Sequence, residues 1–129
     1  MGNINVNEIN IANLAYLGDG VYELEIRNYL LRKSKEKVNI LKEKSVKYVS
    51  AKGQSKILDN LLKNNQLSEL ERELVNRARN YRPASKPKNV LIKDYKKATA
   101  LEALFGMLYI NEEKNRIKEL IMQIMEMGD

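Results

Sequence analysis

The chain has 129 residues, within the usual size of one domain and enough to bury a single sizeable core, so residues 1–129 are read as one unit. Cysteine, histidine and tryptophan are all absent, which excludes disulfides, thiolate and imidazole chemistry and the common zinc ligand sets; any chemistry must rest on carboxylates, lysines, hydroxyls or a hard metal ion. The net charge of +6 is unevenly spread, with 20 Lys and Arg against 7 Asp and Glu in residues 26–97 and 3 against 10 elsewhere. Such a basic middle suits a polyanion, whose condensed counterions are released on contact, although a solvated lysine-rich surface has the same composition.

Residues 1–10 mix Asn and Glu with apolar residues in place of a charged-then-apolar leader, and no stretch reaches the roughly 18 apolar residues of a membrane span. A cytoplasmic protein with no membrane partner is expected. Apolar residues recur at three- and four-residue spacing and only two prolines interrupt them, so the fold class is all-α, a helical bundle. The first stripe is Leu14, Leu17, Val21, Leu24 and Leu31, widened by Tyr22, Ile26 and Tyr29, and it runs into Arg32-Lys33-Ser34-Lys35, a fitting helix C-terminus. A second helical region covers residues 39–62, with a break expected near Gly53. Ser68 with Glu71 three residues later reads as a capping box opening a helix that runs to Arg79. Residues 80–89 contain both prolines and read as a loop. Beyond it, Ala98, Leu101, Phe105 and Leu108 mark a helix over residues 94–110, and Ile117, Leu120, Ile121, Ile124 and Met125 mark the last one.

Two carboxylates stand out. Asp19 lies inside the apolar and aromatic run of residues 14–23, where burial is costly unless the charge is paired or metal-bound. Glu23 follows four residues on, on the same side if the helix is continuous, so that the two repel unless a cation lies near. Equally, Gly18-Asp19-Gly20 reads as a turn with Asp19 as a helix cap. Glu102 has Ala98, Thr99, Phe105 and Gly106 as same-face neighbours, small enough for a ligand to approach, or it is an ordinary rim residue. Two such acids, a basic middle and no histidine fit magnesium held by oxygen ligands and acting on phosphodiesters.

The run Leu14-Ala15-Tyr16-Leu17-Gly18-Asp19-Gly20-Val21-Tyr22-Glu23 resembles the ribonuclease III signature in the form used by Mini-ribonuclease III. Tyr48 to Gln54, Arg77 to Asn80 and Ala98 to Tyr109 resemble that family's other blocks in the same order, so the likeness spans residues 14–109. Full-length ribonuclease III continues into a double-stranded-RNA-binding domain; here about twenty residues follow Tyr109, as in the Mini form. The resemblance implies the ribonuclease III endonuclease fold. It implies a Mg²⁺-dependent endoribonuclease, with Mn²⁺ as a substitute ion, that hydrolyses double-stranded RNA to 5′-phosphate and 3′-hydroxyl ends. Asp19 and Glu102 are then the catalytic metal ligands. Larger family members place further acids where this chain has Ala12, Ala15 and Thr99, which leaves the number of ions open, and Gly20 stands where alanine is common.

The resemblance further implies a homodimer paired through Tyr16, Leu17 and Tyr22, and a duplex gripped by Lys52, Gln54, Arg77, Arg79, Asn80, Arg82, Lys86 and Lys88. A-form RNA presents a wide minor groove of 2′-hydroxyls flanked by phosphates, so shape should count for more than sequence. Precursor 23S ribosomal RNA is the implied substrate, with a ribosomal protein as an accessory partner. The competing readings are a non-catalytic basic RNA-binding or ribosome-associated helical protein, and a protein-interaction module whose lysines are incidental.

Overall fold

The three- and four-residue apolar spacing does fold into helices, and the computed structural model, which describes residues 4–127, contains no strand among them. After a 3-10 turn at Val6–Glu8 come α1 (Ile11–Lys33), α2 (Val38–Val49), α3 (Ala51–Lys63), α4 (Glu69–Arg79), α5 (Ile92–Ile110) and α6 (Lys114–Met127). Asn10 opens α1 by accepting the Ala12 N–H at 2.7 Å. Ser68 and Glu71 form the expected capping box, each side chain answering the other's backbone N–H. The loop extends two residues past its expected end, to residue 91.

The bundle is organised around α5, which is buried on nearly every side: Ala98, Ala100, Leu101, Ala103, Leu104, Phe105, Gly106, Met107 and Leu108 are all inside. The longest helix, α1, packs along it, with α3 and α4 on its other flanks and α6 closing one end. Glycines set the separation of α1 and α5. A Cβ at Gly18 would collide with the Glu102 carbonyl, and one at Gly106 with the Leu14 carbonyl, so the two backbones are in direct contact where they cross.

Three expectations about the first half of the chain need correction. The helix break falls at Ser50, whose hydroxyl caps α3 on the Gly53 N–H at 3.1 Å, and Gly53 sits inside α3. Glycine is there because a Cβ would strike the Lys47 carbonyl at the end of α2, so it serves close approach. In α1 the buried stripe is Leu14, Ala15, Gly18, Tyr22, Ile26 and Leu30, whereas Leu24 and Leu31 are exposed. Tyr22, expected at an interface between copies, is wholly inside: its ring meets Phe105 edge-on at 5.2 Å and its hydroxyl donates to the Tyr48 carbonyl at 2.6 Å, tying α1 to α2.

One buried ion pair secures the far end. The Arg116 guanidinium of α6 donates to both Glu71 oxygens at 2.8 Å and to the Gln66 carbonyl at 2.8 Å, with Glu119 as a further partner. Burial would raise the Glu71 carboxyl, but the hydrogen bonds from Arg116 and Ser68 win and hold it below its usual value.

Candidate active site

The crossing of α1 and α5 explains how acids 83 positions apart in the chain meet. Gly18 lies against the backbone of Glu102, so its neighbour Asp19 is delivered to the Glu102 side chain, close enough for the two carboxyls to share a hydrogen bond. Gly18-Asp19-Gly20 is uninterrupted helix nine residues into α1's span, which rules out the turn and cap reading. The environments of the two acids are the reverse of the expected ones. Asp19 stands on the open side of the helix, and Glu102 is the more deeply set, backed by Gln54, whose amide donates to Glu102 Oε2 at 3.4 Å.

Burial and the adjacent Asp19 charge push the Glu102 carboxyl up to about 8, opposed by the Gln54 hydrogen bond and assisted by Glu23. At neutral pH the pair therefore holds a proton between two hard oxygen donor groups. Such a site gains by exchanging that proton for a cation. Glu23 is engaged by Arg27 at 3.7 Å and acts on Glu102 only through its charge. Among the described residues no cluster of three or more acids assembles, so the donor set here is a pair.

The pair opens into a cleft of about 380 Å³ between α1, α5 and the loop after α4. Ala12, Ala15 and Thr99 line it, and their small side chains leave the cleft wide beside the carboxylates. Tyr81, Pro83, Ala84 and Ser85 from the loop form the opposite wall, with Tyr95 and Lys96 of α5 at one end.

The expected RNA-contacting residues divide. Lys52, Arg82, Lys86 and Lys88 are exposed, the last three on the loop whose other residues wall the cleft. Arg79 and Asn80 line a second, basic groove with Asn76, Lys93, Lys96 and Lys97. Gln54 is only 2 % exposed and positions Glu102, so it is a support for the site and not a contact for RNA. Arg77 is turned to the Ile9 carbonyl at 3.1 Å and ties the chain's start to α4. Lys96 and Tyr95 were missed, although counting back from Glu102 through Thr99 by helical steps leads to both. Of the residues expected between copies, Tyr16 is 84 % exposed and Leu17 half-buried.

The Ribonuclease III domain family model matches residues 12–113, which include both carboxylates, all of α1 but its first residue, and α2 to α5. A Mini-ribonuclease 3 of Staphylococcus aureus is 36 % identical over 127 residues, covering 96 % of this chain and 95 % of that protein. One from Brevibacillus brevis is 42 % identical over 110 residues, covering 85 % and 81 %. A Mini-ribonuclease 3-like protein of Ilyobacter polytropus is 38 % identical over 129 residues, covering 100 % and 99 %. The crystal structure of a Fusobacterium nucleatum protein superimposes with a TM-score of 0.82 at 31 % identity, covering 96 % of this chain and 98 % of that one. With α1 and α5 crossing so as to pair two acids in a cleft, and with relatives matching across nearly its whole length, the chain belongs to the ribonuclease III family as an endoribonuclease of the Mini-ribonuclease III type.

Proposed function

We propose that the chain hydrolyses phosphodiesters of double-stranded RNA at the Asp19–Glu102 pair with the help of Mg²⁺, leaving 5′-phosphate and 3′-hydroxyl ends. The observation that carries this reading is the convergence of these two carboxyls in an open cleft, with Glu102 held well above the ordinary carboxyl range. Oxygen donors alone, with no histidine or cysteine in the chain, suit a hard divalent ion such as Mg²⁺ or Mn²⁺. An ion held there would lower the pKa of a water and offset charge developing on the phosphate. Asp19, on the open side, is placed to meet an ion arriving with substrate, and Glu102 is oriented by the Gln54 amide behind it. A strand entering the cleft would lie between the loop wall and α5, against the pair.

A duplex of labelled RNA tests the reading: with Mg²⁺ the protein should cut both strands to 5′-phosphate products, and with EDTA it should not. Intact duplex after prolonged incubation with Mg²⁺ would remove it. Precursor 23S ribosomal RNA is the proposed natural substrate, with cytoplasmic location and a ribosomal accessory protein as parts of the same proposal. They follow from the resemblance to the Mini-ribonuclease III form, and kinship with the named relatives supports only the endoribonuclease part of the reading.

The chain is further proposed to act as a homodimer. Tyr16, Leu24 and Leu31 are 84 %, 64 % and 63 % exposed, and Leu17 and Val21 are half-buried on the same helix, so α1 keeps apolar surface outside the core of one protomer. Sedimentation at micromolar concentration should give twice the chain mass, and a single 14.9 kDa species would overturn the pairing.

A further inference from the structure

We infer that Lys96 is the cation that positions the substrate strand, holding a backbone phosphate as the strand passes from the groove between α4 and α5 to the Asp19–Glu102 pair. The inference rests on the nuclease reading and adds the route and the residue to it. Among the described residues, Lys96 is the one basic side chain lining the carboxylate cleft. It also lines the neighbouring groove, about 310 Å³, together with Asn76, Arg79, Asn80, Lys93 and Lys97, and among the described residues no acidic side chain lines that groove. Among the described residues, Lys96 is the only one common to both. The two depressions are therefore successive stretches of one surface, the first basic and the second acidic, with Lys96 at the threshold.

Its own surroundings support the assignment. Lys97, next in sequence, is answered by Asp59 at 3.0 Å, whereas Lys96 is half-buried and has no ion pair or hydrogen bond among the described residues. With no protein counter-ion engaging it, the Lys96 ammonium is left available to a phosphate oxygen, which would make a charge-assisted hydrogen bond that the fold does not supply. Glu102 lies six helical positions beyond Lys96, about 9 Å along the axis of α5. The phosphate it holds is accordingly a neighbour of the one at the carboxylate pair, which makes Lys96 a residue of positioning. The anionic end of the cleft would otherwise repel an RNA strand before any ion is in place, and a single fixed cation at its mouth offsets that repulsion.

The test uses Lys96→Gln, which keeps the aliphatic stem against the cleft wall, with Lys96→Arg as the rescue and Lys118→Ala, whose amine pairs with Glu25 at 3.9 Å, as a charge-loss control. Binding of a labelled RNA duplex is measured in EDTA across a salt series, so that no divalent ion contributes. Lys96→Gln should weaken binding about tenfold at moderate salt and lower the slope of log K against log salt by about one, while Lys96→Arg and Lys118→Ala stay close to wild type. In Mg²⁺ the loss should appear mainly in KM, with thermal melting unchanged. If Lys96→Gln matches wild type in affinity and slope while the wild type cleaves, the inference is wrong and the nuclease reading stands. A wild type that neither binds nor cuts duplex RNA overturns both.

Discussion

Replacing Glu102 with Gln should reduce Mg²⁺-dependent cleavage by about three orders of magnitude and, at the same time, make the metal-free protein more stable. Both effects have one cause. Burial and the nearby Asp19 push the Glu102 carboxyl up to about 8, so folding takes up a proton that the unfolded chain has already released at neutral pH. Between about pH 4.5 and about pH 8 the folded state binds more protons at this position than the unfolded state does, and stability must fall as pH rises through that window. Above it the full cost remains, on the order of a few kcal/mol. Gln mimics the protonated acid and carries no charge to desolvate, and its amide can still donate to Asp19. Denaturant midpoints in EDTA should therefore coincide for wild type and Glu102→Gln below about pH 4.5, diverge up to about pH 8 and keep a constant separation above it, the variant being the more stable. Parallel curves would show that Glu102 carries no strain of this kind. With Mg²⁺ present the wild type should recover stability at high pH and the variant should not.

This trade between stability and chemistry is partly legible in the sequence and partly not. What is local was readable: Ser68 and Glu71 are three residues apart and bond to each other's backbone, and the two prolines of the loop act on their own dihedrals. The pairing of Asp19 with Glu102 came from the likeness of whole blocks, because nothing in the spacing of acids 83 positions apart fixes their contact. Sequence reasoning misjudged α1 because that helix is apolar on two sides. Leu17, Val21 and Leu24 compete on paper with Leu14, Tyr22 and Ile26 for the core, and only the crossing with α5 decides in favour of the second set. That choice turns Asp19 outward and Tyr22 inward. Gln54 shows the same blindness: beside Lys52 and Lys56 it reads as a solvated polar residue, and its burial beneath Glu102 depends on how α3 packs against α5.

Two glycines of α1, two residues apart, should respond to alanine with opposite signs. At Gly18 a methyl group would enter the space of the Glu102 carbonyl and approach the Gly106 amide, both backbone atoms of a helix buried all round, so neither can turn aside. The helices must separate, at a cost at or above the upper end for overpacked cores, about 3 kcal/mol. Because Asp19 is the next residue and Glu102 supplies the obstructing carbonyl, the same displacement pulls the carboxyl pair apart, and a shift of about 1 Å is enough to lower cleavage roughly a hundredfold in whatever folded protein remains. At Gly20 nothing lies within 4 Å of the added methyl and the position is exposed in mid-helix. Alanine there should add about 1 kcal/mol to stability through helix propensity alone, while leaving the site in place. Urea denaturation of the two variants beside wild type, at one protein concentration, would separate them. A Gly18→Ala protein as stable and as active as wild type would mean that α1 and α5 do not cross in backbone contact, and the juxtaposition of the two acids would lose its structural cause.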